Sequence, residues 1–155
     1  GGLSYGSNDT VKEVLAPLGT VRFDNVAMWP GRQLGLGTIG EGTPIFALPG
    51  DPVAAQVCYE VFVRPAVLSM AGYTDRYRQS VTATMERGWY SPAGRREFVR
   101  VTLTGSPADG YRAAPNGAAG KLLLSALARS NALAVVPEDV TEVRAGSRLS
   151  CLVLD

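Results

Sequence analysis

The stretch Ile45-Phe46-Ala47-Leu48-Pro49-Gly50-Asp51-Pro52-Val53-Ala54-Ala55 carries the sharpest local signal in the chain. Ile45 to Leu48 is a short continuous apolar run, the pattern of a strand covered on both faces. Pro49 and Gly50 turn the chain. Asp51 is a good helix N-cap, and Pro52 suits the first helical position, where a missing N–H costs nothing. Val53 to Met70 then holds apolar residues at helical spacing, Val53, Val57, Val61 and Leu68 among them. Pro65 removes one helical hydrogen bond and is expected to kink or divide this helix, and Gly72 to end it. A strand, a tight glycine turn and a helix in this order indicate an α/β unit, in which ligands sit beyond the carboxyl ends of strands.

Toward the N-terminus the pattern repeats more loosely. Gly1-Gly2-Leu3-Ser4-Tyr5-Gly6 reads as a loop and has no initiator Met, so the chain is expected to be a piece of a longer protein. Ser7, Asn8 and Asp9 offer N-caps for a helix over Thr10 to Leu18, with Val11, Val14, Leu15 and Leu18 on one face and Gly19 as C-cap. Val21 to Met28 reads as a strand, Pro30-Gly31 as a turn, and Gln33 to Ile39 as a glycine-rich extended segment.

Toward the C-terminus the character changes at Tyr73 to Arg78. Ser80 to Glu86 and Glu97 to Leu103 alternate apolar and polar residues, Leu133 to Val136 and Leu149 to Leu154 are further strands, and one short helix spans Lys121 to Ser130. Charge divides at the same place. Residues 1–73 carry 4 cations and 6 anions, a balance of −2, and residues 74–155 carry 11 and 8, a balance of +3. A boundary near residue 75 follows, with domains at 1–75 and 76–155.

Composition sets outer limits. With 155 residues, 46% hydrophobic and 19% charged, the chain is globular and long enough for a core without staples. A net charge of +1 argues against a general nucleic-acid binder. The absence of His removes Ser-His-Asp and Cys-His catalysis and any His-ligated zinc. Cys58 and Cys151 are isolated thiols, consistent with a reducing cytosol. No 18-residue apolar run and no signal peptide is visible, so no membrane span is expected.

Four places could carry chemistry. The Gly1–Asp9 loop feeding a helix could cradle an anion such as phosphate, or be an ordinary connection capped by Ser7 or Asn8. Pro49-Gly50-Asp51-Pro52 could line the same crevice or only start a helix. Arg32, in the loop Ala27-Met28-Trp29-Pro30-Gly31-Arg32, could grip an anion or lie in solvent, and Trp29 could stack on a flat ligand or fill core. Arg96 and Arg100 share a strand face, as a basic stripe or as a solvated surface. Lys121 and Ser125 have no acid or base beside them in sequence.

The order of these motifs is what narrows the reading. A GG-x-S-x-G loop precedes a helix reading D-x-x-K at Asp9 and Lys12, then VAMxPGR at Val26 to Arg32, LPGDPVAA at Leu48 to Ala55 and FVRPA at Phe62 to Ala66. GRREFVRV at Gly94 to Val101 and LLSALARSNALAVVPE at Leu123 to Glu138 follow. Over essentially its whole length the chain resembles the molybdopterin molybdenumtransferase family, the MoeA and gephyrin E-domain group.

That resemblance implies a fold: residues 1–75 as the second half of a three-layer molybdopterin-binding α/β domain with a mostly parallel sheet, and residues 76–155 as a small all-β, barrel-like C-terminal domain. The family's N-terminal domains would be missing, leaving open sheet edges and a need for a partner segment or homodimer. It also implies a reaction, insertion of molybdate into adenylylated molybdopterin with Mg2+, in molybdenum cofactor biosynthesis in the cytoplasm. Gly1, Gly2, Ser4 and Gly6 would cradle the phosphate or adenylate of the pterin substrate. Asp9 would be the catalytic and metal-binding carboxylate. Pro49, Gly50, Asp51, Pro52 and Arg32 would wall the pocket. Asn25 stands where many members have Lys, Trp29 where they have a second Lys or a Gln, Asp51 replaces the usual Asn, and Lys121 follows Gly120 where many have Gly-Ser. The substituted lysines also suit a non-catalytic molybdopterin-binding or scaffold module. The related molybdopterin adenylyltransferases share the α/β domain but lack the β-rich region after residue 78.

Overall fold

The computed structural model describes residues 3, 10–117 and 121–154. It divides into two compact units, one comprising 1–26 and 31–76 and the other 27–30 and 77–155. The short segment Ala27–Pro30 thus goes with the second unit.

In the first unit, α1 is Val11–Leu15 and runs into a 3-10 turn at Ala16–Leu18. Pro17 explains why the expected helix tightens there, since it cannot donate to the preceding turn. Gly19 stands at the C-cap of this turn, as the sequence indicates, but its backbone is extended, with φ 174°, and it bridges to Ile39. Three strands follow that pack together: β1 (Arg22–Asn25), β3 (Gln33–Ile39) and β4 (Thr43–Ala47), in the spatial order β1-β3-β4. Both pairings are antiparallel. The mostly parallel sheet expected from the resemblance is therefore corrected for the described strands. A parallel pair needs a crossover of a dozen or more residues, and β3 and β4 are joined by a three-residue turn with Gly40 and Gly42 at φ +53° and +99°.

The long helix forms as the sequence predicts but is not uniform. It runs 19 residues, Pro52–Met70, as α2 (Pro52–Cys58), a π-helical turn at Tyr59–Val63 and α3 (Arg64–Met70). The widened turn lies immediately before Arg64-Pro65, where the missing proline N–H interrupts the ordinary ladder. Val53, Ala54, Val57 and Cys58 are buried. Gly72, at φ +84°, closes the end, with the Tyr73 amide donating to the Leu68 carbonyl at 2.9 Å. By length and composition this helix is long and apolar enough to cross a membrane, contrary to the expectation of no apolar run of that length, and Glu60 and Arg64 are the charges within it. The edge strands β1 and β4 lack a second strand partner among the described residues, and Val14, Leu18, Leu36, Val67 and Met70 are exposed.

The second unit is built on a closed five-stranded barrel. Its strands are β5 (Ser80–Met85), β7 (Arg96–Ser106), β8 (Gly110–Pro115), β9 (Ala132–Val136) and β11 (Arg148–Val153). The ring runs β7-β8-β5-β11-β9 and back to β7. All pairings in it are antiparallel except β5 with β8. Ala83, Met85, Val101, Ala113, Ala132, Ala134, Val136, Val143 and Cys151 fill the interior. Their small size suits a barrel of few strands, where inward space is limited. A two-residue strand, β2 (Met28–Trp29), extends the sheet by pairing in parallel with Arg96 and Glu97 of β7. A second small ladder joins β6 (Trp89–Tyr90) to β10 (Glu142–Val143). Helix α4 (Leu124–Ala128) is shorter than the sequence suggests. Strand β8 escaped the sequence reading because Tyr111 is its only strong strand former, among Gly110, Arg112, two alanines and Pro115, although Asp109-Gly110 is a good hairpin signal.

Candidate functional site

Two sets of residues offer chemistry, one in each unit. In the first unit, Leu48-Pro49-Gly50-Asp51-Pro52 leads from β4 into α2 as the sequence indicates. The Asp51 carboxylate accepts a hydrogen bond from the Ala54 amide at 2.9 Å, and the Ala55 amide donates to the Asp51 carbonyl at 2.8 Å. Asp51 is therefore occupied as a helix cap. Gly50 and Pro52 are exposed, and Pro49 is half-buried. The helix N-terminus they present favours an anion. Arg32 is exposed, and its carbonyl accepts from the Val26 amide at 2.7 Å, which closes the loop. Gly31, beside it, sits at φ +97° and accepts a hydrogen bond from the Cys58 thiol of α2 at 3.6 Å. The loop bearing Arg32 is thereby tied to the helix that begins at Pro52. Gly1, Gly2, Ser4, Gly6 and Asp9 lie outside the described residues. Among the described residues no group of three His, Cys, Asp or Glu is placed to hold a metal ion.

In the second unit the barrel carries a cleft of about 230 Å³. Trp29, Arg87, Trp89, Glu97, Arg100 and Lys121 are among its lining residues. The sequence reading singled out Trp29, Arg100 and Lys121 separately, and the fold brings them together. It missed Trp89, Glu97 and Arg87, because nothing in their spacing reports that β2, β6 and β7 converge. Trp29 is in register with Glu97 across the β2–β7 pair, so both side chains leave the same face of the sheet. Glu97 is 4% exposed, and the Trp89 indole Nε1 donates to its Oε2 at 3.0 Å. Arg100 is buried, and its Nη2 donates to the Lys121 carbonyl at 2.8 Å. Arg87 donates to the Pro115 carbonyl. Asn116 spends its amide on Thr102 Oγ1 and Ser130 Oγ, each at 2.9 Å, which anchors the chain beyond β8 to the end of α4. Three cations against one carboxylate make the cleft attractive to an anion, and two indoles give it flat apolar walls.

The basic stripe divides. Arg100 belongs to the cleft, whereas exposed Arg96 pairs with Glu138 at 3.1 Å. A backbone hydrogen bond, and then Arg96, hold the Glu138 carboxyl below its ordinary range. Burial pushes the thiols of Cys58 and Cys151 up to about 11, so neither is a nucleophile near neutrality.

Residues 1–69 match the family described as a probable molybdopterin binding domain, and residues 82–154 match the MoeA C-terminal region, domain IV. Molybdopterin molybdenumtransferase 2 of Mycobacterium tuberculosis is 37% identical over 96% of this chain and 37% of its own length. Molybdopterin molybdenumtransferase 1 of the same organism is 36% identical over 94% of this chain and 35% of its own. The chain thus spans a little over a third of these relatives. Among solved structures, a MoeA protein of Pyrococcus horikoshii superposes with TM-score 0.78 over 95% of this chain and 35% of its own, at 24% identity, a likeness of fold. A molybdenum cofactor biosynthesis protein of Pyrococcus furiosus gives 0.71 over 95% of this chain and 55% of its own, at 31% identity. With the two matched regions following one another in the same order, the chain belongs to the MoeA family.

Proposed function

We propose that this chain acts in molybdenum cofactor biosynthesis as part of a molybdopterin molybdenumtransferase, which inserts molybdate into adenylylated molybdopterin. The observation that carries the reading is the succession of the two matched regions, at 1–69 and 82–154, in one chain. The geometry supports it in two places. The capped helix start at Pro49 to Pro52, with Arg32 on the loop tied to the same helix, suits an oxyanion or phosphate. The cationic, tryptophan-walled cleft of the barrel suits a flat ring with an anionic group.

In this reading residues 1–75 are half of a three-layer molybdopterin-binding domain completed by further segments, and residues 76–155 are the C-terminal domain. Gly1, Gly2, Ser4 and Gly6 cradle the adenylate or phosphate, and Asp9 holds Mg2+ and acts catalytically. When bound, Mg2+ would offset charge on the phosphate and molybdate oxygens. The chain's own groups bind and orient: helix-terminal amides hold anionic oxygens, and Arg32 supplies a cation beside them. The protein works in the cytoplasm as a homodimer, binds neither nucleic acid nor membrane, and covers through its partner segments the open edges of β1 and β4.

The test is molybdate-dependent conversion of adenylylated molybdopterin by the complete protein carrying this chain. Turnover above the uncatalysed rate supports the reading, and its absence counts against it. Pterin binding without turnover would favour a non-catalytic binding or scaffold module, which the tryptophan at position 29 also suits.

A further inference from the structure

The barrel cleft has a construction that general anion attraction does not explain. Its wall holds a carboxylate, Glu97, only 4% exposed, in a lining otherwise rich in cations. Trp89 Nε1 donates to Oε2 of that carboxylate at 3.0 Å, which sets its plane. Trp29 stands in register with Glu97 on the adjoining strand. Trp29 and Trp89 are the only two tryptophans in the chain, and both line this cleft. Trp29, Trp89 and Glu97 also line a neighbouring groove with Arg95, so they form the wall between the two spaces. The cleft's volume of about 230 Å³ is below the roughly 300–1,000 Å³ of pockets that enclose a whole drug-sized ligand. It accommodates one flat ring system, with the remainder of the ligand outside.

We propose that Glu97 is the specificity-determining residue of this cleft, reading the aminopyrimidinone edge of a pterin whose ring lies against the tryptophans, with Arg87, Arg100 and Lys121 drawing negative charge on the ring's substituents toward the cleft. This rests on the proposed function and assigns the ring-recognition step to the barrel unit. The chemistry is specific. An aminopyrimidinone edge presents two adjacent N–H donors, and a carboxylate is an acceptor-only group that can meet both. Indole faces supply stacking area without hydrogen-bond preference, so they hold a ring but do not choose between rings. Selection therefore falls to the carboxylate. A lumazine carries a carbonyl where a pterin carries its amino group, and would set an acceptor against Glu97. Guanine shares the aminopyrimidinone edge, so a guanine nucleotide is the competing source of the same chemistry.

Because both indoles line the cleft, tryptophan emission of the chain reports its occupancy directly. The probes are pterin-6-carboxylate, lumazine-6-carboxylate and guanosine monophosphate. Pterin-6-carboxylate is expected to quench the emission at saturation, with lumazine-6-carboxylate binding about ten- to a hundredfold more weakly, the worth of a charge-assisted hydrogen bond. In Glu97→Gln that ratio is expected to collapse toward one, and in Trp89→Phe, which removes the donor and keeps a ring, pterin binding is expected to weaken while the fold persists. Equal affinity for pterin and lumazine in the unmodified chain overturns the proposal without any variant. Tighter binding of guanosine monophosphate than of pterin-6-carboxylate overturns the pterin assignment, and an absence of quenching by every probe overturns the site. If molybdopterin binds the complete protein and Glu97→Gln leaves its affinity unchanged, the role of Glu97 fails and the proposed function stands. If molybdopterin binds nowhere on the complete protein, the proposed function fails with it.

Discussion

The carboxylate of Asp51 accepts a hydrogen bond from the amide of Ala54 at 2.9 Å, three residues into the helix that Pro52 begins. This is an N-cap: it satisfies a donor that no intrahelical carbonyl can reach. Asp51→Ala is expected to lower stability by about 0.5–2 kcal/mol. Asp51→Asn, which keeps the acceptor, should retain most of that. Thermal midpoints of the two variants check the claim, and an unchanged midpoint in Asp51→Ala removes the cap from the account.

Gly37 lies on β3 where a side chain has no room. A Cβ there would sit 2.6 Å from the Thr20 carbonyl oxygen and from the Val21 Cα, both backbone. Backbone cannot step aside as a flexible side chain can. Gly37→Ala is expected to destabilise by about 1–3 kcal/mol, the usual cost of overpacking. Denaturant unfolding measures it, and a neutral result means that β1 and β3 separate more easily than the packing indicates.

Alkali should weaken the fold through its thiols. Burial raises Cys58 and Cys151 from the ordinary value of 9.0 to about 11. The unfolded chain therefore releases these protons first as pH rises. Their contribution is intact below pH 9.0 and is lost as pH climbs through about 11. The double variant Cys58→Val, Cys151→Val should show a flatter decline of the thermal midpoint over that window. Parallel declines in the two proteins would show that other groups dominate.

The cation role proposed for Asp9 has a separate signature. Asp9→Asn removes the charge at nearly constant size. In the complete protein it should reduce turnover while the thermal midpoint stays put, and excess Mg2+ should partly restore the rate. Full activity at low Mg2+ would end that role.

How far the sequence reaches can be seen residue by residue. Asp51 and Pro52 revealed a helix start because capping is a local matter of one side chain and the next three amides. Gly72 revealed the helix end for the same reason. The strands around Val81 and Val99 showed themselves through alternation and those around Val135 and Cys151 through their apolar runs, although closure of the barrel came only from the resemblance. Other expectations failed where a local rule met a tertiary one. Gly19 caps the last helical turn but takes an extended backbone in place of the left-handed one, because it also bridges to Ile39. The mostly parallel sheet implied by the resemblance gives way to an antiparallel one with Gln33–Ile39 as its central strand, because the three-residue turn to β4 leaves no length for a crossover.

What the sequence by itself determined was the capped helix start at Asp51, the helix end at Gly72, the alternating strands and, through the order of its motifs, the family. Each depends on residues within a few positions of one another or on their succession along the chain. Only the tertiary structure decided that Trp29, Trp89, Glu97, Arg100 and Lys121 share one cleft. They lie far apart in sequence, and no periodicity encodes their meeting. Strand pairing does so, through the parallel register that sets Trp29 beside Glu97 and the indole hydrogen bond that draws Trp89 to the same carboxylate.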